Sequence, residues 1–203
     1  GLDLKFPHHE NEIAQAECAT ERNFASLWMH TGPLRIEDKK MSKSLKNFIT
    51  VKDILKDFHP EVLRLFFLLT HYRSPISYSK EGLENAKRVL DKFYTLFSDI
   101  KTPRKFNEDK TFREEFISAF QDDFNSPKAL SLLQAYAANT ESGEDLSSDK
   151  LFTLKVLLNS LGLLLDEAEN YFKYGEIELS DREIEKLISC LLYTSDAADE
   201  GGS

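Results

Sequence analysis

The sequence predicts a mainly α-helical protein, and three observations carry that expectation. Apolar residues at 83, 86, 89, 90, 93, 96, 97 and 100 recur with the spacing of a core-facing helical stripe. Helix-start signals stand at Pro60, at Ser79 and at the pair Ser126-Pro127. At least four helices joined by short connections follow residue 75, and an antiparallel bundle is their economical packing. No internal repeat of roughly 20–50 residues is visible, which argues against a solenoid.

Taken in order, EIAQAECA after Pro7 predicts a helix of about three turns, with the proline at the favoured first helical position. FASLWMH at 24–30 is short and apolar, a buried strand or a helix end, and periodicity cannot separate the two over so few residues. TGP at 31–33 predicts a turn. LRIEDKKMSKSLKNFIT is polar and lysine-rich, and predicts a loop between short elements, ending in the β-prone Phe48, Ile49, Thr50 and Val51. Pro60 starts EVLRLFFLLTHY, whose unbroken apolar patch at 65–69 implies burial on most sides, and Ser74-Pro75 ends it. Ser79 caps the long striped helix, which Pro103 stops. Asn107 or Thr111 begins the next, with 112, 116, 117 and 120 on one face. Ser126 is read as an N-cap for PKALSLLQAYAANT, ESGEDLSSD as a loop, and LFTLKVLLNSLGLLL as a buried helix. SDRE at 180–183 has capping-box spacing before EKLISCLL.

The chain has 203 residues, 41% of them hydrophobic, enough for one large or two small domains with a buried core. No apolar run is long enough to span a membrane and no basic stretch leads into an apolar signal segment, so the expected address is cytoplasmic. Cys18 and Cys190 are far apart and form no CxxC, which argues against a disulfide framework. The net charge is −9, unevenly spread. Residues 64–105 carry nine Lys/Arg against four Asp/Glu, whereas 106–203 carry eight against twenty-one. That local basic band permits a nucleic-acid contact despite the acidic average, and it equally describes solvated helix faces.

Two constellations carry chemistry. In GLDLKFPHHENE, His8 and Glu12 lie four residues apart and share a helix face, so imidazole and carboxylate can converge on one cation. His9 pairs equally well with Glu12 at a spacing of three, which leaves the histidine open, and solvated or capping residues at a helix start are the plainer alternative. Cys18 cannot join, being about 15 Å along the axis from His8 at about 1.5 Å per residue. Zinc wants four ligands, or three and an open position, so this stretch supplies at most half a site. In the second, KKMSKSLKN sets Lys39, Lys40, Lys43 and Lys46 among Ser42 and Ser44, a pattern able to clamp a polyphosphate as pyrophosphate leaves, or to be a mobile basic loop. No Walker motif or G-x-G-x-x-G is present. Trp28 beside Met29 reads as core, with His30 next to it, while His71 and Arg73 either contact nucleic acid or brace their loop.

The spelling K-M-S-K-S, Lys40 to Ser44, resembles the second signature of the class I aminoacyl-tRNA synthetases. With FPHHENEIAQ at 6–15, WMHTG at 28–32, KMSKSLKNFIT at 40–50, HYRSPISYS at 71–79 and DDFNSPKAL at 122–130, the chain resembles the cysteinyl-tRNA synthetases from Gly1 to about residue 165. The resemblance implies the C-terminal remnant of a Rossmann-like catalytic domain followed by an antiparallel helical bundle. On that division 1–31 ends the nucleotide-binding domain with its zinc helix, 32–79 holds the KMSKS loop and stem-contact region, 80–189 is a tRNA-binding bundle, and 190–203 is an unassigned tail that matches nothing expected of the family. It further implies ATP-dependent activation of cysteine and transfer to tRNA(Cys), with magnesium. His8 and Glu12 become two of four zinc ligands, His9 lines the same pocket, and Lys43 contacts ATP with Lys40 supporting and Met41, Ser42 and Ser44 beside it.

Departures from the family pattern are visible. The H-I-G-H signature, two zinc-binding cysteines and most of the nucleotide-binding sheet lie upstream of this stretch in the family, and an anticodon-reading region lies downstream. Lys46 stands where many relatives carry glycine, and similarity fades after about residue 166. Residues 1–203 alone are therefore expected neither to form adenylate nor to hold zinc tightly. Three rivals share some of the features: a non-catalytic tRNA-binding paralogue, a ligase that joins cysteine to an amino-sugar in thiol cofactor synthesis, and a helical interaction module without nucleotide chemistry.

Overall fold

The structure, a computed structural model, describes residues 1–36, 39–40, 49–98, 107–142 and 148–175. A 3₁₀ turn at Leu2–Leu4 and a π-helical turn at Lys5–His9 lead into α1, Glu10–Thr20. Phe6 is extended, so the helical run begins at Pro7, as the proline predicts, and is longer than three turns. It ends at Glu21, which takes the left-handed conformation of a C-cap. No residue of α1 is buried.

Residues 24–30 form neither the strand nor the helix end expected of them; the segment is irregular and largely exposed, with Leu27 at 74% and Met29 at 49%. The predicted turn at TGP is extended instead. Gly32 donates its N–H to the Tyr72 carbonyl at 2.8 Å, and Ile76 N–H donates to the Pro33 carbonyl at 3.0 Å. A Cβ on Gly32 would lie 2.2 Å from the Ser74 carbonyl oxygen, so the close approach of two backbones, not a reversal of direction, is what needs glycine here. β1 (Leu34–Ile36) then pairs antiparallel with β2 (Lys39–Lys40) and parallel with β3 (Ile76–Tyr78), giving the order β2-β1-β3. β3 lies between Ser74-Pro75, which ends one predicted helix, and Ser79, which caps the next, where no element was expected; its partner lies some forty residues earlier and leaves no local periodicity.

The β-prone run ending at Val51 turns into helix. Thr50 is an N-cap, accepting from Asp53 N–H at 3.1 Å, and α2 covers Val51–Ile54. α3 (Pro60–Leu68) starts at Pro60 as expected and buries Glu61, Val62, Leu63, Leu65 and Phe66. Ser79 caps α4 (Lys80–Phe97) through Gly82 N–H at 3.0 Å, and Leu83, Ala86, Leu90, Phe93 and Tyr94 form its buried stripe. α5 (Lys110–Gln121) is capped by Asp109, not Asn107 or Thr111: its carboxylate accepts from Phe112 N–H and from the Tyr136 hydroxyl, both at 3.0 Å. Ile117 is exposed, and Ala119 takes the inward place expected for it. α6 (Ser126–Ser142) receives its side-chain cap from Asn125, which accepts from Lys128 N–H at 3.1 Å, one residue before the expected Ser126. α7 (Ser148–Ser160) ends where Gly162 turns to φ 73°, and α8 (Ala168–Phe172) packs on α4. The capping box at 180–183, Cys190 and the tail from 190 lie outside the described residues, as do Pro103 and most of the ESGEDLSSD loop.

One core joins α3 to α8, with Leu65, Leu83, Leu90, Leu130, Leu133, Leu154 and Leu158 nearly inaccessible. A carboxylate sits inside it. Glu61, 5% exposed, accepts from the Tyr94 hydroxyl at 3.0 Å, Leu164 N–H at 2.7 Å and Leu165 N–H at 2.9 Å. It lies in the first turn of α3, where the helix dipole favours a negative charge. Burial, then the Glu61 charge, pushes the Tyr94 hydroxyl well above the ordinary tyrosine value, so it remains a donor. Replacing the carboxylate strands two buried donors, Tyr94 OH and Leu164 N–H, and the half-buried Leu165 N–H. Glu61→Ala is expected to cost about 3–5 kcal/mol, against about 1–2 kcal/mol for Tyr94→Phe, measured by urea unfolding of the 203-residue chain.

Candidate functional site

The two helix-start histidines face different partners. His8 Nε2 lies 3.3 Å from Glu12 Oε1, with the side chains 59% and 46% exposed. Two donors each about 2.0–2.1 Å from a tetrahedral zinc stand about 3.3–3.4 Å apart, so this pair already has the edge length of half a zinc shell. The same distance describes an exposed His–Glu ion pair. Among the described residues no three His, Cys, Asp or Glu side chains gather as metal ligands, and Cys18 is exposed and apart. The structure thus offers two fitting donors and no third.

His9 turns away from Glu12. Its Nδ1 shares a hydrogen bond with His30 Nε2 at 3.1 Å, and its ring lies 5.2 Å from both Trp28 and His30. Trp28 and His30 stack with ring centroids 6.1 Å apart and planes 12° from parallel. Partial burial, followed by the His9 imidazole, holds His30 below the ordinary histidine value. Trp28 is 37% exposed and packs on Phe24 and the two histidines, so the expectation that it belongs to the core does not hold. No periodic signal marks Trp28 and His30, which lie in an irregular segment. His30's bond to His9 went unread because it spans 21 residues.

The second constellation is only partly described. Lys39 and Lys40 form the backbone of β2, with Lys40 opposite Arg35 and Lys39 opposite Ile36. Met41, Ser42, Lys43, Ser44 and Lys46 lie outside the described residues. A cleft of about 510 Å³ is lined by Ile36 of β1, Tyr78 of β3, Ile49, Ile54, Phe58 and Lys80 among others.

His71 and Arg73 brace their loop. His71 Nε2–H donates to the Asp123 carbonyl at 3.0 Å, Tyr72 OH to Asp123 Oδ1 at 2.8 Å, and Arg73 Nη2 also donates to Oδ1 at 2.9 Å, with its Nε ion-paired to Oδ2 at 2.8 Å. Asp123 and Phe124 both hold φ 54°, the left-handed region, in the turn between α5 and α6. Bracing was one of the two roles open to His71 and Arg73 in the sequence; that Asp123 is the partner carries no local signal, since it lies about fifty residues away.

Residues 1–88 match the family model of tRNA synthetases class I (C) catalytic domain, and residues 115–167 match the DALR domain. The chain is accordingly similar to the class I tRNA synthetases over residues 1–88 and to the DALR domain over residues 115–167. Within that class it is similar to proteins named cysteine–tRNA ligase. It is 45% identical over 190 residues to the one from Hydrogenovibrio crunogenus, a match covering 93% of this chain and 41% of that protein. The Methylococcus capsulatus protein is 46% identical over 202 residues, covering 95% and 43%, and the Legionella pneumophila (Corby) protein 44% over 192, covering 93% and 41%. The chain therefore spans about two-fifths of the length of these relatives. No described helix is long and apolar enough to cross a membrane.

The clamp has a pH signature. The Tyr72 hydroxyl first, then Arg73, hold the Asp123 carboxyl below the ordinary aspartate value. A depressed carboxyl stabilises the fold fully above the unfolded-chain value of about 3.9 and loses that contribution as pH falls through the folded value. Thermal melts of wild type and Asp123→Asn should differ by a constant amount from neutrality down to about pH 5 and converge below about pH 3.9.

Proposed function

We propose that this chain is the working middle of a cysteine–tRNA ligase, which activates cysteine with ATP and transfers it to tRNA(Cys). The observation that carries the reading is the His8–Glu12 pair at 3.3 Å, held on the helix that the catalytic-domain match covers. The similarity to proteins named cysteine–tRNA ligase supports the substrate.

In this reading His8 and Glu12 supply two zinc ligands, and the remaining donors come from elsewhere in the complete polypeptide. Zinc held there would lower the thiol pKa of cysteine and prefer its sulfur to the oxygen of serine, giving discrimination without an editing step. His9, bonded to His30 and flanked by Trp28, lines the same pocket and fixes the orientation of the ring next to His8. Lys43 contacts the ATP phosphates, with Lys40 supporting, and Met41, Ser42 and Ser44 shape the backbone around them. Magnesium accompanies the nucleotide. Lysine ammonium groups stabilise the charge that grows on the departing pyrophosphate, and the aminoacyl group then passes to the terminal adenosine of the tRNA. Residues 32–79 join this chemistry to the bundle that begins at residue 80, which meets the tRNA through local basic faces. A cytoplasmic location goes with that substrate.

The test is a transplant. Residues 1–165 replace the matching stretch of the Hydrogenovibrio crunogenus protein, and cysteine-dependent pyrophosphate exchange is followed. The chimera is expected to be active and to carry zinc by elemental analysis. His8→Ala or Glu12→Ala in it should lower exchange by at least about 100-fold with loss of the metal, and Lys43→Ala by about 10²–10³-fold with the metal retained. The 203-residue chain alone should show no exchange. A folded chimera that is inactive, or that keeps full activity and lacks zinc after both ligand substitutions, would overturn the reading.

A further inference from the structure

The segment that carries Trp28 and His30 has little core of its own. All described side chains from 24 to 29 are exposed, and His30 is half-buried. What fixes the backbone just beyond it is Gly32, whose N–H donates to the Tyr72 carbonyl at 2.8 Å, and whose Cα packs so closely on Arg73 and Ser74 that a Cβ would meet their carbonyl oxygens at 2.8 and 2.2 Å. The 71–74 corner is in turn gripped from the other side by Asp123, which takes donors from three consecutive residues, His71, Tyr72 and Arg73. Arg73 Nε also lies 2.9 Å from the Tyr72 hydroxyl, and its guanidinium carbon sits 5.4 Å from the Tyr72 ring, so the three donors form one unit.

We infer that Asp123, in the turn between α5 and α6, is a positioning residue for the His9–Trp28–His30 cluster, acting through the 71–74 corner wedged between that turn and Gly32. The α5–α6 helix pair thereby sets where the aromatic cluster stands against the helix that bears His8 and Glu12. The left-handed backbone at Asp123 and Phe124 belongs to the same device: it turns the Asp123 carboxylate and its own carbonyl toward the corner together, which a helical continuation of α5 would not do. The inference does not depend on the substrate of the enzyme, since the coupling is a property of the chain.

The chain contains a single tryptophan, so Trp28 fluorescence, excited beyond tyrosine absorption, reports on the cluster alone. Acrylamide quenching and emission maximum are measured on the 203-residue chain for wild type, Asp123→Ala, Asp123→Asn, Tyr72→Phe and Arg73→Gln. Leu133→Val, in the α6 core, serves as a variant weakened elsewhere. Asp123→Ala is expected to raise the quenching constant and shift the emission to the red, with unchanged far-ultraviolet circular dichroism. Asp123→Asn, which keeps one acceptor oxygen, should fall between it and wild type, and Leu133→Val should match wild type. Wild-type quenching in Asp123→Ala would overturn the inference, as would an equal change in Leu133→Val. Should Asp123→Ala lose its helical signal, Tyr72→Phe and Arg73→Gln decide: increased quenching in either folded variant sustains the coupling, and wild-type quenching in both refutes it.

Discussion

The buried carboxylate of Glu61 is the interaction on which the rest of the molecule depends. It bonds three donors that lie 33, 103 and 104 residues away in sequence, and so fastens the first turn of α3 to α4 and to the chain that leaves α7. Its surroundings are built to keep it. His59 presents Nδ1 to Glu61 N–H at 3.3 Å and points Nε2 at Asp166, 3.5 Å away, so the start of α3 and the segment after α7 are also joined at the core's edge. Tyr94, the donor to Glu61, stacks on Tyr171 at 3.8 Å with planes 7° apart, and Tyr171 donates in turn to Asp91 at 2.7 Å. A charge removed from water is costly unless its lone pairs are filled, and a shifted packing of α3 would empty these. The leucine-rich faces around it tolerate sliding; the carboxylate does not. Register of the bundle against the catalytic-domain segment thus rests on a polar contact more than on apolar area.

The candidate chemistry sits at the opposite extreme of burial. α1 buries nothing, and the residues that would bind a cation or flank it stand where the described protein is most open. Segments with few buried contacts open with small free energies, so their geometry is set by a handful of specific bonds. Here those bonds are the His9–His30 contact, the Gly32 backbone donor and the pairing of β1 with β3. Exposed Phe6, Phe24 and Leu27 lie in the same region. The arrangement concentrates buried packing in α3 to α8 and leaves α1 and residues 24–29 without buried side chains.

The helices were legible in the sequence because each carries its own evidence: an apolar stripe of helical period, a capping residue, a proline in the first turn. Leu83, Ala86, Leu90 and Phe93 fell where the stripe placed them, and Ser79 and Pro60 marked their starts. Caps between competing polar residues were less legible. Asn107, Asp109 and Thr111 are all plausible on chemistry, and Asp109 prevails because Tyr136 and Thr153 from other helices bond it as well. Elements defined by distant partners were not legible at all. β3 has three residues, too few to alternate, and TGP looked like a turn because nothing nearby in sequence announces that Ser74 will press on Gly32. Glu61 and Asp123 carried no signal of their own, because their partners are distant in sequence. In the candidate site helical spacing allowed either His8 or His9 to pair with Glu12, and the structure pairs His8, whereas the roles expected of Lys40 and Lys43 followed only from the resemblance of K-M-S-K-S, since four lysines in a polar segment define no chemistry by themselves.

The small sheet links the two constellations singled out in the sequence. β1 is its central strand, and it is also the shortest path between them. Its first residue, Leu34, follows four positions after His30, and its last, Ile36, pairs with Lys39 one residue before the signature begins at Lys40. β3, on the other side, delivers the chain directly to Ser79 and so to α4. A three-stranded sheet this short has little stability alone. It is held because Gly32 and Pro33 extend the β1–β3 pairing backward to Tyr72 and Ile76, and because Ile36 is buried. Any displacement of the 71–78 stretch is therefore shared by the aromatic cluster, which precedes β1, and by the β2 backbone paired to its other side.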